Sequence, residues 1–348
     1  MAIRHQLKRA LRELYARFLY HSGAHALVNR VMPRRLLVLA GHCVAEPGNA
    51  PLGPNMRIGG AELERLLGWF AKRYEVLPIG PALERLEQPG KRSLVALTLD
   101  DGYKDNRTRL LPILERLGLS ATVYLESAPL DERRVNWTHK FFWTLERTGT
   151  QRFAELYRAR ATDTRTRELL GPELSSYHLK RVLKYEAPVA ERTRLVDELF
   201  REQGGDERAL CEQLYMNWED ARALDKAGVE LGAHTVQHEI LARLSPAEAA
   251  REIAGSKEAL ERGLGHPVRS FAYPFGRRWD YHAAAKASAR DAGFASATNT
   301  HAGTNRAGAD RYELRRVMID ENTQLHRLVA EACGGYDLLR RFGLELAE

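Results

Sequence analysis

Two short stretches hold side chains of the kind a hydrolytic site requires: Asp100 and Asp101 within Thr98-Leu-Asp-Asp-Gly-Tyr103, and the imidazoles of His234-Thr-Val-Gln-His238. Adjacent carboxylates are costly to bury unless a cation or a proton offsets their charge. Successive side chains point apart, so one can ligate a cation while the other addresses a substrate. Alone, Asp-Asp-Gly is also good turn chemistry. Two imidazoles four residues apart converge on one ion if the backbone between them turns helically. With Asp101 they form a two-nitrogen, one-oxygen set that leaves positions open for water and substrate, the layout expected of a catalytic zinc site. A third stretch, Phe271-Ala-Tyr-Pro-Phe-Gly276, closes another apolar run. Its proline and glycine fix a turn whose backbone N–H groups can face a pocket, although a packed turn would look the same.

The elements that must position these residues follow from the apolar pattern of the 348-residue chain. Runs at 36–40, 76–79, 94–99, 121–126, 229–233, 270–273, 294–298 and 314–319 read as strands, several of them short and wholly apolar. Between them lie helical stripes, such as Leu63, Leu66, Leu67 and Phe70, or Leu110, Ile113, Leu114 and Leu117 closed by Gly118. Ser245-Pro-Ala-Glu248 is a capping box with proline at the first helical position. This alternation predicts a (β/α) barrel over residues 34–320, with each motif at a strand's C-terminal end and so at one mouth. Residues 131–217 break the rhythm. They are rich in Arg and Glu, carry Trp137, Phe141, Phe142 and Trp143, and predict an inserted helical subdomain, either a lid or an excursion with its own small core. Residues 321–348 predict a helical tail.

Together the three motifs resemble the polysaccharide deacetylase family, the group sharing the chitooligosaccharide-deacetylase homology domain. The likeness covers residues 34–130 and 215–320. It implies a distorted (β/α) barrel of about seven strands and a divalent metal, usually zinc, held by Asp101, His234 and His238. Asp100 would be the general base, and the Phe275 N–H would serve an oxyanion hole. Tyr103, Tyr273, Pro274 and Gly276 would join Phe275 as substrate-facing residues. His42, in Leu37-Val-Leu-Ala-Gly-His42-Cys-Val44, looks like the first strand of a subgroup and would be the general acid, with His301 and then His139 as alternatives. One departure stands out: Ala272 occupies the place of the family's usual arginine, for which Arg277, Arg278, Arg315 or Arg316 could substitute.

Charge narrows the setting. Residues 1–36 hold eight arginines and lysines against the single acid Glu13, which accounts for the whole net charge of +7. The basic character thus belongs to one segment, which argues against a nucleic-acid groove. Within residues 1–33, Ile3, Leu7, Ala10, Leu11, Leu14, Tyr15, Phe18 and Leu19 recur at helical spacing. Such a basic amphipathic helix suits an anionic membrane surface or packs on the body of the protein. With three scattered cysteines and no apolar leader, the expected location is the cytoplasm, peripherally on the inner membrane. The expected substrate is an N-acetylated amino sugar, lipid- or nucleotide-linked, in surface polysaccharide or glycolipid biosynthesis. Deformylation, cyclic-amide hydrolysis and a degenerate glycan-binding role are the competing functions.

Overall fold

Leu36–Gly41 (β1) and Leu94–Leu99 (β5) are buried along their whole length, and they pair in parallel at the centre of the fold. Buried on both faces, such strands need no polar alternation, which is why their sequences are continuously apolar. The computed structural model describes residues 2–45, 52–172 and 174–341, with the backbone only at 2–5 and 7. The remaining strands are Cys43–Val44 (β2), Arg57–Ile58 (β3), Glu75–Val76 (β4), Thr122–Leu125 (β6), Glu230–Ala233 (β7), Ser270–Ala272 (β8), Ser296–Thr298 (β9) and Val317–Met318 (β10). Seven of them form one parallel sheet in the order β10-β1-β5-β6-β7-β8-β9, with β4 added beside the start of β5. No ladder joins β9 to β10; a single parallel bridge, Thr298 to Leu314, spans that side. The result is a curled half-barrel with helices outside it, the expected distorted (β/α) barrel.

Several expected strands lose a residue or two at their ends, and two change most. The run at 76–79 stops at Val76 because Pro78 caps a helix over Ile79–Glu87. The run at 314–319 forms a ladder through Val317 and Met318, with Leu314 in an isolated bridge, which leaves Arg316 outside the strand. The capping box at Ser245 forms as read and opens the helix Pro246–Leu264.

The insertion is helical: Trp137–Thr148, Thr150–Arg160, Thr164–Leu169, Ser176–Tyr185, Val189–Glu202 and Glu207–Leu214. Trp137, Phe141, Phe153, Tyr157, Leu179, Leu183, Leu195 and Leu199 give it a core separate from that of the barrel. Among the described residues, the one from the loops after the barrel strands that packs against that core is Phe275. The insertion thus has its own small core, which meets the barrel at Phe275.

The N-terminal segment is two helices, Ala2–His21 and Ala24–Val31, separated at Gly23, whose positive φ breaks the run. Ala16, Leu19, Val28 and Met32 pack on Ala330, Cys333 and Tyr336 of the C-terminal helices Leu325–Ala332 and Gly335–Arg341. Glu13 pairs with His326 and Arg327, and Arg12 with Glu331. The apolar stripe thus divides: one part docks, whereas Leu14 and Phe18 stay 63% and 60% exposed. The side chains of Ile3 and Leu7, and residues 342–348 of the tail, lie outside the described residues.

Candidate metal and catalytic centre

Because β1, β5, β7 and β8 run parallel, their C-terminal ends deliver His42, Asp100, His234 and Tyr273 to the same mouth. Asp101 follows Asp100 in a left-handed conformation (φ 73°), and Gly102 continues it at φ 77°. A Cβ at Gly102 would fall 2.8 Å from a methyl of Leu125, so glycine is required there on two counts. The turn sends the two carboxylates to different partners.

Asp100 lies in the grip of Arg316. Both are buried, and the guanidinium donates from Nη1 to Oδ1 at 2.7 Å and from Nη2 to Oδ2 at 2.8 Å. Arg316 also donates through Nε to the Asn299 carbonyl (2.8 Å) and through Nη1 to the Thr98 hydroxyl (3.3 Å), which fixes its plane. Among the four arginines that could fill the gap at Ala272, Arg316 is the one in place. Burial pushes the Asp100 carboxyl up, but the charges of Arg316 and His234 outweigh it and hold the group below its ordinary range.

Asp101 divides its oxygens. Oδ2 accepts from the Tyr103 hydroxyl at 2.8 Å, and that hydroxyl also bonds His139 Nε2 at 2.8 Å. Oδ1 lies 3.4 Å from Nε2 of both His234 and His238 and has no hydrogen-bond partner. One oxygen and two nitrogens, all within 4.8 Å of one another, therefore face a single point. His234 directs Nδ1 to the Ala272 carbonyl at 2.8 Å, which leaves Nε2 turned inward, as for an imidazole serving a metal. Burial drives the His238 imidazole down to about 3, so its nitrogens keep a free lone pair at neutral pH. Burial also lowers His234, but the neighbouring carboxylates of Asp101 and Asp100 prevail and raise it. A positive charge is favoured between Asp101 and His234, and a divalent cation would supply one. A buried carboxylate oxygen without a donor is costly, so the donor set fits a cation.

The histidines do not converge through a helical turn. The segment after β7 bends through left-handed Thr235 (φ 66°) and His238 (φ 56°) instead. Thr235 Oγ1 accepts the His238 N–H at 3.0 Å, and Glu252 Oε2 accepts those of Val236 (3.0 Å) and Gln237 (2.9 Å). Glu252, on the helix Pro246–Leu264, thereby acts as a splint behind the loop. Of the six described non-glycine residues with positive φ, Asp101, Thr235, His238 and Phe275 (φ 59°) belong to this site. Each costs about 1–3 kcal/mol, and such strain persists only where the surroundings enforce it.

The third motif brings Phe275 to the His238 ring, with centroids 4.7 Å apart. Among the described residues its backbone N–H has no acceptor, while its carbonyl accepts from the Thr300 hydroxyl at 2.9 Å. Gly276 follows at φ 66°, where a Cβ would meet the Thr300 nitrogen at 2.9 Å. Tyr273 and Pro274 are buried, and Tyr273 stacks on Tyr281 at 4.1 Å. Tyr103 is 1% exposed and points at Asp101. The expectation that these two tyrosines face substrate is therefore revised: one stacks in the core and the other braces a carboxylate from behind.

The histidines considered as acids also separate. His42 follows β1, its carbonyl is held by Asn106 at 3.0 Å, and its buried Nδ1 lacks a partner. Its charge bears on both Asp100 and Asp101. His301 contacts a different group, stacking at 6.3 Å on Tyr281 with Glu313, Arg278 and Arg315 as its charged neighbours. His139 is buried against Tyr103 and driven down to about 4 by burial. Sequence reasoning missed the bracing role of Tyr103, and with it Tyr215, which stacks on Tyr103 at 5.5 Å, and Glu252. Tyr103 and Glu252 act through hydrogen bonds and Tyr215 through stacking, none of which a motif's spacing reveals.

A curled parallel half-barrel with a two-histidine, one-carboxylate cluster at its mouth defines a class of hydrolase folds. The chain carries a polysaccharide deacetylase domain: residues 87–155 and 196–297 match the family model of that description. The unmatched interval, 156–195, lies within the insertion. A stretch of 103 residues is 29% identical to the Bacillus subtilis (strain 168) protein named "Putative polysaccharide deacetylase YxkH"; it covers 29% of this chain and 35% of that relative's length. The fold is similar to the Streptococcus pyogenes deacetylase PplD in complex with acetate (TM-score 0.55, 18% identity, 86% of this chain and 99% of that one). It is also similar to IcaB from Ammonifex degensii (TM-score 0.55, 17% identity, 87% and 98%). At such identities the likeness is one of fold.

Proposed function

We propose that the protein is a metal-dependent hydrolase that removes the N-acetyl group from an amino sugar. The observation that carries this reading is the unpartnered Asp101 Oδ1, set 3.4 Å from Nε2 of both His234 and His238. Arg316 keeps Asp100 ionised but weakly basic; Asp101, His234 and His238 would hold a divalent cation, zinc by preference for this donor set, which would acidify a water and polarise the amide carbonyl when bound. Asp100 accepts the water's proton, its carboxylate plane fixed by Arg316. The free N–H of Phe275 donates to the developing oxyanion. His42 delivers a proton to the departing nitrogen, since an amide nitrogen leaves only when protonated.

Acetate release from N-acetylated nucleotide sugars and polyprenyl-linked sugars, with and without a chelator, tests the reading. Chelator-sensitive acetate release is expected. Formate release alone would shift the reaction to deformylation, and no release with any substrate would overturn it.

The same reading seats the enzyme on the cytoplasmic surface of the inner membrane. Leu11, Leu14, Phe18, Leu27 and Val31 are exposed on the N-terminal helices, beside exposed Lys8, Arg9, Arg17 and Arg30. That pairing of apolar and basic faces suits an anionic interface. Deleting the segment would uncover the core around Ala330 and Tyr336, so point changes are the better probe. Leu14→Ser with Phe18→Ser should abolish sedimentation with anionic liposomes, whereas unchanged sedimentation would refute the membrane contact.

A further inference from the structure

The insertion brings two lysines to the site that neither the metal cluster nor the proton transfers use. Lys180 and Lys184 lie one turn apart on the helix Ser176–Tyr185. The Lys184 ammonium sits over the Phe275 ring at 3.5 Å from its centroid, and that ring touches His238. Lys180 lies over Phe142 at 4.8 Å, close enough for the Asp101 charge to act on it. Arg277, in the turn after Gly276, bears on both ammonium groups.

Two ammonium groups one turn apart therefore lie on the side of the site where Phe275 meets His238, and their counter-charge is thin. Asp280 lies 3.6 Å from Lys184 Nζ, but it already accepts from the Tyr185 hydroxyl at 3.0 Å and the Arg277 N–H at 3.0 Å. Among the described residues Lys180 Nζ has no hydrogen bond or ion pair, only the face of Phe142. Burial lowers Lys180 to about 8 and Lys184 to about 7, because the ammonium groups are held where little water reaches them. A fold seldom holds lysines in this way without an anion to receive.

We infer that Lys180 and Lys184 form a subsite for an anionic group, phosphate or carboxylate, carried by the sugar whose acyl amide lies at the metal cluster. The inference rests on the amide-hydrolase reading for the identity of the sugar, but the subsite is testable by binding alone. Its place in the fold agrees with that role. Lys184 stacks on the residue whose N–H faces the reacting carbonyl, so an anion bound there lies next to the scissile group. The lysines come from the insertion rather than the barrel, so the insertion would select among substrates while the barrel performs the chemistry.

Calorimetric titration of chelator-treated full-length protein with N-acetylglucosamine, N-acetylglucosamine 1-phosphate, UDP-N-acetylglucosamine and glucuronate tests this without turnover. Each charge-assisted contact is worth about tenfold in affinity, so the phosphorylated sugar should bind at least tenfold more tightly than the neutral one. Lys180→Gln and Lys184→Gln should each erase about tenfold of that preference, and Lys180→Arg should keep it. A stronger response to UDP-N-acetylglucosamine than to the monophosphate assigns a diphosphate-linked substrate, as in nucleotide- or lipid-linked sugars. A stronger response to glucuronate assigns a uronate-bearing glycan. If Lys184→Gln does not fold, Lys180→Gln decides alone, because it removes no polar contact among the described residues. Equal affinity for neutral and anionic sugars, or a preference untouched in Lys180→Gln, would overturn the subsite even if acetate release is confirmed.

Discussion

The two sides of the mouth are built on different principles. On the barrel side, Asp100, Asp101, His42 and His234 directly follow strands, and the parallel sheet itself brings them together. Their polar atoms are closely paired or aimed at one another, and the backbone there is held in strained conformations. On the insertion side, Lys180 and Lys184 depend on a separate small core for their position and lie over aromatic faces, with Asp280 facing Lys184 at 3.6 Å. Fixed chemistry is carried by the sheet, and adjustable recognition by the insertion. Changes on the barrel side should therefore be severe and independent of substrate, whereas those on the insertion side should be graded and substrate-dependent.

The largest effect is expected from the cluster itself. Asp101→Ala or His238→Ala should strip the bound metal on dialysis, read by elemental analysis; full retention in both would disprove the ligand assignment. Arg316→Met comes next, because it leaves Asp100 buried without its counter-charge. It should cost about 3–5 kcal/mol in chemical denaturation, and a loss below 1 kcal/mol would mean that the pair is not holding the carboxylate. Tyr103→Phe probes the seam between the two sides, where the hydroxyl bridges Asp101 to His139 of the insertion. Loss of such a supporting contact should weaken metal affinity about 10–100-fold with the fold intact. Unchanged affinity in a metal-competition titration would make that bridge merely structural.

The smallest effect lies far from the mouth. Burial raises the Glu13 carboxyl, but Arg17, Arg327 and His326 outweigh it and bring it from 4.5 to about 2. A carboxyl depressed in the folded state contributes stability above its unfolded pKa, and the contribution is lost as pH falls through the folded one. Docking of the N-terminal helices should therefore loosen between about pH 4.5 and 2, visible as earlier hydrogen exchange in Ala2–His21. Glu13→Gln should remove that pH dependence, and its persistence in the variant would place the titration elsewhere.

Legibility in the sequence follows the same division. Strand-end residues are readable because β1 and β5 are apolar runs that stop abruptly at His42 and Asp100, so position along the chain translates into position at the mouth. Conformation was less readable than location. His234 and His238 meet through left-handed residues splinted by Glu252, an arrangement their four-residue spacing does not reveal. Arg316 was one of four candidates because the loop between β9 and β10 sets its reach, and loop geometry leaves no periodic trace. Tyr103 read as substrate-facing because motif position says nothing about the 36 residues separating it from His139, its partner in the insertion. The N-terminal stripe was visible as a stripe, but its division into docked and exposed faces depends on the C-terminal helices.

The most direct test of the central claim separates the proton from the metal. Asp100→Asn keeps the shape of the side chain and leaves Asp101, His234 and His238 untouched. The account predicts a variant that retains wild-type metal content by elemental analysis but loses acetate release by at least about a hundredfold. Near-wild-type acetate release from the metal-loaded variant would contradict it.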